Sequence, residues 1–254
     1  MAGWLAADGR VQVVDAAGRL GVAPETVRRD LRQMESVGRL QRVHGGAVPV
    51  LTEPDPPRTD GASDYSDLGR RLWGRLPRSG TLLIGTGRPA LGLADAISAD
   101  PPTAAGLTIV TNSLDVAIVL SKIPTIGVYN IGGTVSPQSH GQEGDWALSE
   151  LDRLRVDVAV VCPAGVDAER GLTDPTPGGA AVNRAETLVG GRVIAMVDAA
   201  SVGAAAFVQF ATIDEIDELA IAGDVAAKLL QHFIDRGIEL TVAPADQAEG
   251  RPDR

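Results

Sequence analysis

Apolar and polar positions follow two different rhythms along this chain. In the first fifty residues the rhythm is helical. Val13, Ala16, Ala17 and Leu20 recur at three- and four-residue spacing, as do Val27, Leu31 and Met34, which predicts helices near 13–20 and 25–34. Gly21 stops the first of these, and Pro24 stands where the second would begin, with its φ preset and no N–H to leave unsatisfied. Helix, short glycine turn, helix is a helix-turn-helix pattern. Arg39–Val43 and Ala47–Val50 are extended runs around His44-Gly45-Gly46, and they predict a hairpin, the wing of a winged helix. Ahead of them, Met1–Asp8 has room for only about two turns of a first helix. That helix reads as truncated, with the true start of the protein lying further upstream.

From Gly80 the rhythm changes. Short, continuously apolar runs (81–85, 107–111, 125–131, 156–162, 192–198, 218–222 and 238–243) alternate for the most part with helical segments (91–97, 114–120, 146–154, 180–189 and 225–234). Strands without polar alternation, separated by helices, predict a mostly parallel sheet covered on both faces. The fold class is therefore an α/β effector domain preceded by a small winged helix-turn-helix domain. The boundaries read as follows: 1–50 the DNA-binding domain, 51–67 a linker rich in Pro, Asp, Gly and Ser, 68–243 the α/β effector-sensing and oligomerisation domain, and 244–254 a disordered tail.

Charge divides along the same line. Residues 1–50 hold seven arginines against five acids, a net +2, whereas the rest carries −12 of the chain's overall −10. An acidic body with a mildly basic head suits binding to double-stranded DNA through the head alone, with a dimer or tetramer making up for modest affinity per head. On the second helix, Arg29 and Arg32 project opposite the apolar stripe, with Thr26 and Gln33 beside them. Arg29 and Arg32 are expected to read base edges. Arg28 joins Arg42, His44 and Gly45 of the wing as expected backbone contacts.

One cysteine, Cys162, excludes an internal disulfide, and its apolar surroundings favour a small packing residue over a nucleophile. No Cys/His spacing fits zinc, no cofactor is implied, and no signal peptide or membrane span is visible, so a cytoplasmic protein is expected. In a parallel sheet, ligands bind beyond the carboxyl ends of the strands. The loops there contain Gly87 and Arg88, Thr111-Asn112-Ser113, Gly132-Gly133, Gly165–Thr173 and Asp198–Gly203. Thr111-Asn112-Ser113 is the best single candidate for a ligand contact; it also suits capping of the helix near Leu114, and one residue can do both.

The run GVAPETVRRDLRQMESVGRLQRVHGGA resembles the N-terminal signature of the DeoR family of bacterial transcriptional regulators, densely over Val11–Ala47. The domain from Gly80 to Ala243 resembles that family's sensor half, which is similar to the ribose-5-phosphate isomerase and CoA-transferase superfamily. Its landmarks here are Gly87, Thr111-Asn112-Ser113, Gly132-Gly133, Gly144, Asp157, Gly165, Gly171-Leu172-Thr173 and Asp198. The resemblance implies a repressor of carbohydrate-metabolism genes controlled by a sugar phosphate or related metabolite, bordered by Gly87, Asn112 and the loop before Gly203.

The chain departs from that pattern where the ligand is expected. The usual Asp-Ser-Gly-Thr-Thr is Gly85-Thr86-Gly87-Arg88-Pro89, a Glu and a Lys are replaced by Gly179 and Asn183, and Asp-Ser-Ser-Lys is Asp198-Ala199-Ala200-Ser201. Arg88 and Arg184 are the cations left to meet a phosphate. An altered sugar phosphate, an uncharged ligand and no ligand all stay open. The competing class is a sugar-phosphate-binding protein or isomerase-like enzyme with a vestigial DNA-binding head. Isomerisation needs a general base beside substrate, and these loops have lost acids; Asp167 and Asp174 remain, and both suit turns. No enzyme is expected.

Overall fold

The computed structural model describes residues 11–36, 41–43, 46–48 and 62–244. The first-helix, linker and tail expectations at 1–10, 49–61 and 245–254 lie outside the described residues. The chain divides into two compact units, Met1–Thr59 and Asp60–Arg254.

The first unit runs β1 (Val11–Gln12), α1 (Val13–Leu20), α2 (Pro24–Ser36), β2 (Gln41–Val43) and β3 (Gly46–Val48), with β3 paired antiparallel to both β1 and β2. The helix-turn-helix is made as its residues dictate. Gly21 adopts φ 65°, and the Val22 N–H returns to Ala17 O at 3.1 Å, closing α1 with a left-handed glycine cap. Val13, Ala16 and Ala17 of α1 and Val27 and Leu31 of α2 are buried between the two helices. Gly18 lies on the exposed side of α1, with nothing within 4 Å of where a β-carbon would sit. Gly18→Ala should therefore stabilise this unit by about 0.5–1 kcal/mol, through lower chain entropy alone. Thermal melts followed by helical circular dichroism would read the gain, and an unchanged or lower midpoint would refute it.

The second unit opens with α3 (Ala62–Trp73), then β4 (Gly80–Ile84), α4 (Arg88–Ala99), β5 (Leu107–Thr111), α5 (Leu114–Leu120) and β6 (Ile126–Asn130). A hairpin, β7 (Thr134–Val135) and β8 (Gln142–Glu143), leads to α6 (Asp145–Leu151) and β9 (Val156–Val161). After β10 (Gly165–Asp167) and β11 (Gly171–Asp174) come α7 (Pro177–Val189), β12 (Gly190–Asp198), β13 (Val208–Ala211), β14 (Glu218–Ala222), α8 (Ala227–Ile234) and β15 (Glu239–Ala243).

Seven strands form one wholly parallel sheet in the order β15-β14-β12-β9-β4-β5-β6. All seven predicted strands are present. Alternate side chains serve opposite faces, which is why stretches such as 158–161 and 193–197 are apolar and buried without alternation. Leu82, Ile84, Ile109, Val160 and Met196 meet α3, α4 and α5, while Leu83, Val110 and Ala159 meet α6 and α7. Val161, Ala195, Val197 and Ile221 continue that second face against Phe210 and Phe233.

Two features depart from the sequence expectation. The linker was expected to reach Asp67, but α3 starts at Ala62 and Tyr65 is buried in the core. Its single aromatic residue, rather than an apolar period, anchors that first turn. The small antiparallel sheet β10-β11-β13 and the β7–β8 hairpin were not expected either. Helices α3 and α4 approach backbone to backbone: a β-carbon on Gly69 would lie 2.3 Å from Gly92 O, and one on Gly92 2.7 Å from Tyr65 O.

Candidate functional site

On α2 the buried Val27–Leu31 stripe turns Arg28 and Arg29 outward, while Thr26 is half-buried. Arg28 pairs with Glu25 at 2.9 Å, but both side chains are exposed and one turn apart. Such a pair contributes only a few tenths of a kcal/mol, so Arg28 is readily released to a phosphate. Arg29 stands about 180° from the buried stripe at 100° per residue. Arg32 and Gln33 lie in α2 and Arg42 in β2. Their side chains, and the whole of His44 and Gly45, lie outside the described residues.

In the second unit the chain leaves β4 to build β5 and β6 on one side, then returns to build β9, β12, β14 and β15 on the other. The carboxyl ends of β4 and β9 therefore flank the topological switch point, where open parallel sheets hold ligands. Gly85 N–H donates to Val160 O across it at 2.9 Å. Gly87, at φ 117°, precedes α4 without a side-chain cap. Arg88 is exposed and its guanidinium sits 5.2 Å from the Tyr65 ring centre.

The structure separates the roles of the trio at the end of β5, all three buried. Ser113 caps α5, its hydroxyl accepting from Val116 N–H at 3.3 Å, and Thr111 Oγ1 accepts from Ser113 N–H at 3.0 Å. Asn112 donates through Nδ2 to Gln142 O at 3.4 Å, and its Oδ1 is buried without a partner. Gly132 N–H donates to Gln142 Oε1 at 3.2 Å. Gly133 fits tightly on β8, where a β-carbon would lie 2.6 Å from Glu143 O. Gly133 thus serves close packing, whereas Gly132, at φ 88°, has nothing within 4 Å of where a β-carbon would sit. Asp198 is held on both oxygens, Oδ1 by the Ser201 N–H and hydroxyl and Oδ2 by the Tyr65 hydroxyl at 2.9 Å. Burial, then the Asp198 charge, push the Tyr65 hydroxyl up, so it stays a donor.

The group that sequence reading missed is Glu186. It projects from α7, wholly buried, with neither carboxyl oxygen hydrogen-bonded, and burial pushes it up to about 8. Its Oε2 lies 3.0 Å from where a β-carbon on Gly85 would be. A carboxyl group on α7 thus lies beside Gly85 at the end of β4. Glu186 stands at i+4 from Val182 and three residues before Val189, both buried, so the signal was an acid within an apolar stripe. Burial and Glu186 together push the Cys162 thiol up, which keeps it neutral.

Two more acids line the start of α7. Asp174 accepts from Thr176 N–H at 2.8 Å and from Asn183 Nδ2 at 3.0 Å, beside Gly179. Glu143 lies against Gly178, and burial followed by Asp174 raises it. It also lines a groove of about 300 Å³ with Gly133, Thr134, Asp145 and the exposed Trp146. Arg184 is committed to Glu215.

At the opposite end of the sheet the acids are hydrogen-bonded. Glu218 Oε1 takes Arg75 and Thr241, and Oε2 takes Arg192 at 2.6 Å. Asp157 takes the Thr81 N–H and hydroxyl, each at 2.7 Å. Unpartnered acceptors gather at the carboxyl ends.

A family model described as the DeoR-like helix-turn-helix domain matches residues 1–52, and one described as the DeoR C terminal sensor domain matches residues 67–221. The HTH-type transcriptional regulator GlpR of Haloferax volcanii is 30% identical over 237 residues, covering 91% of this chain and 90% of that protein. The glycerol-3-phosphate regulon repressor of Escherichia coli is 24% identical over 236 residues, covering 91% and 92%. Among solved structures, the full-length sorbitol operon regulator SorC of Klebsiella pneumoniae superposes with a TM-score of 0.45 at 11% identity, covering 91% of this chain and 95% of that one.

Proposed function

The chain belongs to the DeoR family of transcriptional regulators, and from that premise we propose that it is a repressor whose hold on an operator is set by a small carbohydrate-type metabolite. The observation that carries the reading is α2, with Val27 and Leu31 buried and Arg28 and Arg29 turned outward within the unit that matches the family's DNA reader. Such a helix enters the major groove, where an arginine can bond guanine in bidentate fashion. The effector would sit at the strand ends around the switch point, with Asn112 the residue of the β5 trio left free to meet it. The relatives carry names of regulators and of a glycerol-3-phosphate regulon repressor, which supports regulation without catalysis and a carbohydrate-related ligand. No described helix is long and apolar enough to cross a membrane, and a reader of operator DNA works in the cytoplasm. Two heads on one palindromic site require at least a dimer, assembled through the second unit.

Footprinting the full chain on DNA from its own promoter region tests the proposal. Arg29→Ala should weaken specific binding by about 1–3 kcal/mol, roughly five- to 150-fold, and relax the preference at one base pair. The Arg28→Ala change should weaken binding to all sequences alike and flatten the salt dependence. An Arg29→Ala variant with an unaltered footprint and affinity would remove Arg29 from the reading face.

A further inference from the structure

Three oxygens at the carboxyl ends of β4 and β5 lack partners: Oε1 and Oε2 of Glu186 and Oδ1 of Asn112. By register, Ile84 faces Thr111, so Gly85 and Asn112 follow side by side, and both continue the sheet face that carries Leu83 and Val110. That is the face covered by α7, the helix that bears Glu186. Asn112 Oδ1 can only accept, and the carboxyl can accept at both oxygens or, protonated, donate at one. Leaving such groups buried and unbonded costs stability, so a group with hydroxyls to offer is the natural complement.

The charges nearby point the same way. Asp174 and Glu143 line the start of α7, and Asp145 joins Glu143 on the groove beside the exposed Trp146. Among the described residues near these strand ends, Arg184 is tied to Glu215, and Arg88 is exposed over Tyr65. A dianion would face several acids with one solvent-exposed guanidinium to offset them. A cation would suit ionised acids, but burial holds Glu186 neutral at neutral pH.

The geometry points to a neutral polyhydroxy compound, an unphosphorylated sugar or sugar alcohol, as the effector, with Glu186 and Asn112 as its hydroxyl-binding residues. This rests on the reading of the strand ends as the effector site. Gly85 lies beside the carboxyl: a β-carbon there would come 3.0 Å from Glu186 Oε2.

Calorimetric titration of the full chain with D-glucose, D-glucosamine and glucose 6-phosphate, and with D-ribose and ribose 5-phosphate, compares a hexose at three charges and a pentose at two. A neutral sugar should bind at least about tenfold tighter than its charged derivative. Glu186→Leu should weaken that binding about tenfold or more while raising the melting temperature, and Glu186→Gln, which keeps a hydroxyl-bonding head, should stay within about threefold of the parent. Tighter binding of the phosphate or the amine overturns the inference. So does a Glu186→Leu protein that binds sugar as the parent does, which would leave the effector site standing without Glu186. If none of the five compounds binds the parent protein, the inference and the effector-site reading fall together.

Discussion

Replacing Glu186 with leucine should make the protein more stable, and the gain should widen as the pH rises from about 5 to 8. In the folded chain burial pushes this carboxyl up to about 8, whereas in the unfolded chain it ionises near its ordinary 4.5. Between these values the folded state keeps a proton that the unfolded state has released. Stability must then fall with rising pH, because the unfolded chain binds fewer protons. At about 1.4 kcal/mol per pH unit the full swing is roughly 5 kcal/mol at most. Leucine has no such term and fills a similar volume, so it also relieves two buried oxygens that have no partners. Glu143, raised by burial and by Asp174, adds a term of the same sign in the parent and the variant. Asp67, Asp157, Asp167 and Glu215 are held low, so their contribution is present above the ordinary carboxylate range and fails only in acid. They do not mask the window. Denaturant midpoints of parent and Glu186→Leu proteins at pH 5.5 and 8 decide the matter. A constant difference between them, or a less stable variant at both pH values, would show that the carboxyl is not held neutral in the fold.

The opposite result is expected at Gly69. Alanine there gains about 1 kcal/mol of helix propensity. Its β-carbon, however, would come within 2.3 Å of Gly92 O, an atom of backbone that cannot swing aside. Helix α3 must then lift from α4 by about an ångström, and Leu68, Leu72 and Leu93, all fully buried, lose contact. A net loss of about 2–3 kcal/mol follows, in the upper part of the range for overpacked cores. Gly74→Ala is the control, because its nearest neighbour would be an ordinary contact at 3.5 Å. Should Gly69→Ala melt with the parent, the close approach of the two helices would be wrong.

How far the residues announced this molecule depends on the length over which a pattern repeats. The seven strands of the sheet were legible because runs such as 158–161 are apolar on both faces, which only a doubly covered sheet requires. The turn at Gly21 and Pro24 was legible because each residue has one dominant conformational use. Strands of two to four residues, β7, β8, β10, β11 and β13, show no period, since tertiary contacts select them. At the site, Ser113 as a cap and Asn112 as a possible contact were both in view, but only coordinates could divide the work between them. Asp198 was a ligand candidate by position, and the structure shows both its oxygens in use. Glu186 stayed hidden because an acid in a helix is read by default as facing water. Its burial depends on Gly85, about a hundred positions earlier, whose missing side chain leaves the room.

The switch point has a further consequence. Leu83 of β4 pairs with Ala159 of β9, so the crevice is walled by segments 76 positions apart. Joining them closes a long loop, a slow and entropically costly step that precedes any contact across the cleft. A nascent or nicked chain that has not made this closure therefore has no crevice at all. Once made, a small molecule spanning both walls would act as a removable clasp on the longest loop in the sheet, and would oppose unfolding of the whole unit rather than of one loop.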